Sequence, residues 1–228
     1  MSTSGIKDKS TRRWFQYRLR SLLIVAVLVN IAASWFATRM ASARRQQAAI
    51  AAFEEAGGFC EYDYELDEQG RTISPPPDAP GPVWLRNLMG VDFLANVMCV
   101  SGNFQLYPAD QTLTHLNGVP RIRMLFLDAT SVTDTGMAHV AGLKELEYLG
   151  LGDTQLTDAG LVHVKGLWSL KHLSLMGTVI TDAGLAHLDN LSNLEELYLY
   201  DTDITDAGLA RLAQLSNLRN RSRASEPF

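Results

Sequence analysis

The chain has 228 residues, with 25 acidic and 20 basic side chains for a formal net charge of −5, and two cysteines, Cys60 and Cys99. Two cysteines exclude a disulfide-dense scaffold and leave no zinc-type spacing. The charge is uneven: residues 1–45 hold nine Lys/Arg and one acidic residue, while the remainder holds 11 basic and 24 acidic residues, a balance of −13. That acidic remainder disfavours nucleic acid and anionic lipid as its partners, and the basic head suits an inner-leaflet surface.

In chain order, residues 1–20 form a basic head and residues 21–38 a transmembrane helix. Leu22 to Ala37 is an uncharged run of 16 residues with one Asn. As a helix it spans about 24 Å against about 30 Å of hydrocarbon, a deficit that flanking arginines close by snorkelling. Trp14, Phe15 and Tyr17 at one end and Trp35 and Phe36 at the other suit interfacial belts. Lys7, Lys9, Arg12, Arg13, Arg18 and Arg20 precede the run, and Arg39, Arg44 and Arg45 follow it. This excess places the amino terminus in the cytoplasm and the rest outside it, as a single-pass protein of the cell membrane. Ala41-Ser42-Ala43 also fits a cleavage site, so a removed signal peptide and a secreted product form the alternative.

Residues 39–82 read as a stalk and linker. The helical pattern continues to Ala56, Phe59 to Leu66 alternates as a strand does, and Pro75-Pro76-Pro77, Pro80 and Pro82 stiffen the connection. Residues 83–121 read as an amino-terminal cap plus one degraded repeat. Trp84 to Val100 is expected to cover the first repeat's edge. Cys60 and Cys99 fall near this region, either bridged or as two buried thiols.

Residues 122–218 carry the clearest pattern. Thr-Asp-x-Gly recurs every 24 residues, starting at Thr133, Thr157, Thr181 and Thr205. Ahead of each copy stands a short alternating apolar segment: Ile122/Leu125/Leu127, Leu146/Leu149/Leu151, Leu170/Leu173/Leu175 and Leu194/Leu197/Leu199. The alternation is that of a strand with one buried face. Thr followed by Asp suits a helix start, the hydroxyl capping and the carboxylate facing the positive dipole end. A strand and a helix in so short a unit cannot bury an apolar face alone, so the units must stack.

Thr-Asp-Ala-Gly-Leu at this period resembles the leucine-rich repeat superfamily, in the variant of bacterial repeat proteins and F-box-type repeat domains, over about residues 113–218. The segment from Arg12 to Leu23, then Tyr62-Asp63-Tyr64-Glu65, Trp84-Leu85-Arg86 and Asp92-Phe93, is similar to single-pass membrane repeat proteins of planctomycete bacteria. The expected fold class is α/β: a leucine-rich repeat solenoid of short parallel strands plus helices, preceded by one transmembrane helix.

Such a solenoid uses its concave face. The residues flanking and between the strand leucines are Met124, Phe126 and Asp128; Tyr148, Gly150 and Gly152; His172, Ser174 and Met176; and Glu196, Tyr198 and Tyr200. Small residues bordered by aromatics suggest a patch for a protein or peptide partner. The competing explanation is plain β-propensity. An F-box-like adaptor role is the other functional class.

No nucleophile elbow, phosphate loop or zinc-protease motif occurs, so no enzymatic activity and no cofactor are expected. His115, His139, His163 and His187 share one repeat position, an outcome of repetition; no metal is expected there. The Asp134, Asp158, Asp182 and Asp206 column is expected to serve helix capping. After Leu215 the pattern stops: Arg221 and Arg223 stand where leucines should, residues 219–228 form an irregular tail, and the strand around Leu197 faces an open edge.

Overall fold

A computed structural model describes residues 5–67, 71–102 and 109–222. Two compact units divide the chain, Met1–Ala43 and Arg44–Phe228. The first consists of most of helix α1 (Gly5–Glu55). From Leu22 to Phe36 its large apolar side chains are exposed. Among the described residues α1 is the one helix long and apolar enough to cross a membrane, with a mean hydropathy of 2.0 in its best window.

The second unit is built on a sheet whose strands are β1 (Gly58–Tyr62), β2 (Val97–Gly102), β3 (Met124–Phe126), β4 (Tyr148–Gly150), β5 (His172–Ser174), β6 (Glu196–Tyr198) and β7 (Asn220–Ser222). Their spatial order equals their chain order. β1 and β2 are antiparallel, and every later neighbour is parallel. The register keeps the period: Leu125 pairs with Leu149, Leu149 with Leu173, and Leu173 with Leu197. All four are fully buried, as are Leu127, Leu151 and Leu175. The return arm of each unit is short. It is α-helical at Asp134–Val140 and Asp206–Arg211, and a single 3-10 turn at Gly160–His163 and Gly184–Leu188.

Each regular repeat turns off its strand in the same way. Ala129, Asp153, Gly177 and Asp201 all take a left-handed backbone, with φ of 56°, 53°, 60° and 54°. The following threonines close the turn: Thr130, Thr154, Thr178 and Thr202 donate to the carbonyl three residues back at 2.6–2.8 Å. Each hydroxyl satisfies a carbonyl that the turn takes out of the sheet ladder.

Three expectations change. The stretch read as a stalk is partly cap. Ala49 and Phe53 of α1 and Ala56 just after it are buried in the main core, and β1 is the sheet's first strand. Gln46 holds the arrangement by donating to Asp92 Oδ1 and the Ala95 carbonyl, both at 3.1 Å. Tyr62 donates to the same Asp92 oxygen at 3.0 Å. The residues read as edge cover divide in two: β2 pairs with β3 and covers that edge, whereas α2 (Val83–Met89) buries none of its side chains, and Trp84 is exposed. Finally, β6 is not an open edge, because β7 pairs with it and Arg221 stands opposite Leu197. The tail past Ser222 lies outside the described residues.

Candidate binding face

The sheet's outer face is assembled by the repeat register. One row runs Met124, Tyr148, His172, Glu196; the next runs Phe126, Gly150, Ser174, Tyr198. Asp128, Gly152, Met176 and Tyr200 follow at the strand ends. The structure therefore brings the sequence-selected residues into one field.

The small residues at the middle of the patch are covered by the chain itself. Gly150, Gly152 and Ser174 are buried, and the Asp128 carboxylate covers the glycines. Its Oδ1 accepts from the Gly152 amide at 2.8 Å. A Cβ at Gly150 would lie 2.1 Å from Asp128 Oδ2, so a larger residue cannot stand there without moving Asp128. The glycines thus make room for a carboxylate of the same chain.

The aromatic residues do come together. Phe126 and Tyr148 have ring centroids 4.5 Å apart, and the Tyr148 and His172 rings are 6.1 Å apart. His172 Nδ1 lies 3.1 Å from Glu196 Oε2, which also accepts from the Tyr198 hydroxyl at 2.6 Å. The Tyr198 donor lowers the Glu196 pKa; burial opposes this, and His172 reinforces it. The same bond raises the Tyr198 phenol to about 12. Burial raises Tyr148, with Asp128 and Glu196 adding to the effect. Met176 is 39% exposed.

Sequence reasoning missed how far this face extends. Cys99 and Ser101 of β2 are in register with Met124 and Phe126, and Phe59 and Glu61 of β1 with Ser101 and Cys99. Phe59, 55% exposed, therefore continues the aromatic field on the cap side. The alternation of Phe59 with Cys60 was the available signal. The same register settles the thiols. Cys60 pairs with Val100 and Cys99 with Glu61, so the two cysteines point to opposite faces, and both are free.

The Asp column has another role than expected. Thr133 and Thr205 do cap their helices. The carboxylates, however, reach across to the next repeat. Asp134 accepts from the Thr157 amide at 2.9 Å and hydroxyl at 2.6 Å, and Asp158 from those of Thr181 at 2.8 and 2.6 Å. Asp110 and Asp182 bind Thr133 and Thr205 in the same way. The glycine of each motif admits that carboxylate: a Cβ at Gly136, Gly160, Gly184 or Gly208 would lie 2.1–2.5 Å from the Oδ1 of the preceding repeat's Asp. Thr-Asp-x-Gly is thus an inter-repeat clasp in addition to a helix start. Among the described residues no cluster of three or more His, Cys, Asp or Glu side chains is arranged to hold a metal ion.

A family model described as Leucine Rich repeat matches residues 169–188 and 190–213. With the stacked parallel strands, it places this part of the chain among leucine-rich repeat structures. Among solved structures the chain is similar to internalin C2 from Listeria monocytogenes, at 32% identity over 49% of this chain and 46% of that one, TM-score 0.41. It is also similar to internalin F from the same organism, at 21% identity over 48% and 36%, TM-score 0.35. A third is the leucine-rich repeat ectodomain of the receptor kinase SOBIR1 from Arabidopsis thaliana, at 15% identity over 78% and 90%, TM-score 0.44. The chain spans less than half the length of either internalin chain. No curated protein matches it.

Proposed function

We propose that this protein is a membrane-anchored recognition module that acts by binding rather than by catalysis. The apolar segment of α1 is its anchor, and the outer face of the sheet takes a protein or peptide outside the cytoplasm. In this reading it is a single-pass repeat protein of the kind its amino-terminal motifs resemble. Leucine-rich repeat domains generally mediate protein–protein interaction, and solenoids bind through such extended faces. The carrying observation is the aromatic field of Phe59, Phe126, Tyr148, Tyr198 and Tyr200 on one sheet face. Rings of this kind are enriched in interface cores.

Two measurements test it. Replacing Tyr148, Tyr198 and Tyr200 together with Ser should abolish capture of the partner in crosslinked membranes while the thermal melt shifts little. Unchanged capture refutes the face. For the anchor, alkaline carbonate should leave the full chain in the membrane pellet, and protease added to intact cells should remove the repeats. Release into the supernatant, or full protection, refutes that part.

A further inference from the structure

Resting on the reading that the sheet's outer face binds a partner, we propose that this partner is basic: an extended peptide segment rich in Lys or Arg. It would lie across the aromatic rows, with its cations facing the carboxylates at the strand ends.

Charge is distributed oppositely along the two edges of the sheet. At the edge where the strands begin, Arg123, Glu147, Lys171, Glu195 and Arg219 alternate in sign. Arg123 and Lys171 both pair with Glu147, the latter at 2.6 Å, and Arg219 lies 3.9 Å from Glu195. That edge is compensated by the chain itself. At the other edge, the segments 126–132, 150–156, 174–180 and 198–204 contain Asp128, Asp153, Asp201 and Asp203 and no Lys, Arg or His. All four carboxylates are exposed, and among the described residues none belongs to an ion pair. On the face between the edges, the one imidazole, His172, is already engaged by Glu196.

An acidic edge alone would simply be hydrated. Here it borders a cluster of aromatic rings, and the combination selects a ligand. A guanidinium or ammonium within about 6 Å of a ring centroid is attracted to the ring's face. Carboxylates accept charge-assisted bonds from the same cation, two at once from Arg. An acidic peptide would meet like charge at this edge, and a neutral one would strip water from carboxylates without replacing it. The acidic balance of the chain past residue 45 also steers a cationic ligand toward it.

The test pans a random dodecapeptide display library on the full chain in detergent micelles. One variant is Asp153→Asn, Asp201→Asn and Asp203→Asn combined. Asn suits the left-handed backbone of positions 153 and 201, so this variant should fold with an unchanged melt. Asp128 is left intact because it holds Gly152. The second variant is the triple Tyr→Ser change. Expected are retained peptides enriched in Lys and Arg whose binding weakens about tenfold in the Asn variant and falls with added salt. Peptides that are lost on the Ser variant but lack basic residues, or that ignore the Asn variant, overturn the basic partner and leave the face standing. An empty library, or retention indifferent to both variants, overturns both.

Discussion

Asp158 accepts two hydrogen bonds from Thr181 of the next repeat, and Gly184 leaves the space in which its carboxylate sits. The three residues are therefore coupled although they belong to different repeats. Asp158→Ala leaves the Thr181 amide without its acceptor and should destabilise the chain by about 1–3 kcal/mol. Gly184→Ala places a Cβ 2.3 Å from Asp158 Oδ1 and should cost about 2 kcal/mol in the parent chain. In the Asp158→Ala background the carboxylate is gone and only the Ile180 methyl at 3.1 Å still crowds the site, so the glycine change should cost clearly less. Urea unfolding of the four proteins measures this, and strict additivity would count against the clasp. Ala129 supplies a second test. Its φ of 56° suits glycine, which stands at the equivalent position 177. Ala129→Gly should raise stability by about 0.5–1 kcal/mol, seen as a higher Tm.

At the level of elements, the repeats were legible and the cap only in part. A strict period with leucines two apart leaves one choice of buried face, and Leu149, Leu151, Leu173 and Leu175 occupy it. The clasp was hidden because its partners lie 23 residues apart, and a local reading sees only the Thr and Asp of one motif. The carboxylate over Gly150 was hidden for the same reason, since Asp128 comes from the preceding repeat. The cap has no period at all. Its logic is tertiary: an amphipathic end of α1 carries Phe53 into the core, while the antiparallel pair of β1 and β2 covers the first repeat strand. Phe53 is fully buried, with His115 edge-on at 6.4 Å. Phe53→Ala should therefore cost about 3–5 kcal/mol, as a core truncation does, read from thermal unfolding. The thiols follow from the same pair of strands. Burial raises Cys60 to about 12, with Glu54 adding to the shift, and burial also raises Cys99, with Glu61 reinforcing it. Both should resist alkylation in the native chain, and both should react once it is denatured, with no disulfide formed under oxidising conditions. A mass shift of one linked pair would contradict the opposite-face register.

For the molecule as a whole, a stack of short repeats is held by nearest-neighbour interfaces, so anything that weakens several of them together acts on the entire solenoid. Acid is such an agent. Burial alone would raise Asp110, but the hydroxyl and amide of Thr133, the Thr135 hydroxyl and the Gly136 amide outweigh it and leave its pKa lowered. Glu147 is likewise lowered, with Lys171 and Arg123 overcoming burial. Glu196 is lowered by Tyr198 and His172. These three carboxylates lie in three different repeats. Because each folded pKa lies below the unfolded value of about 4, the unfolded chain binds protons first as the pH falls. Stability should then be level from pH 7 to about 5 and decline through the unfolded values and below, until the folded carboxyls are protonated too. Urea midpoints of the full chain in micelles at a series of pH values measure this. Combining Asp110→Asn, Glu147→Gln and Glu196→Gln should lower the midpoint at neutral pH and flatten the acid decline. A variant whose acid slope matches the parent's would show that these interface carboxylates do not set the molecule's acid limit.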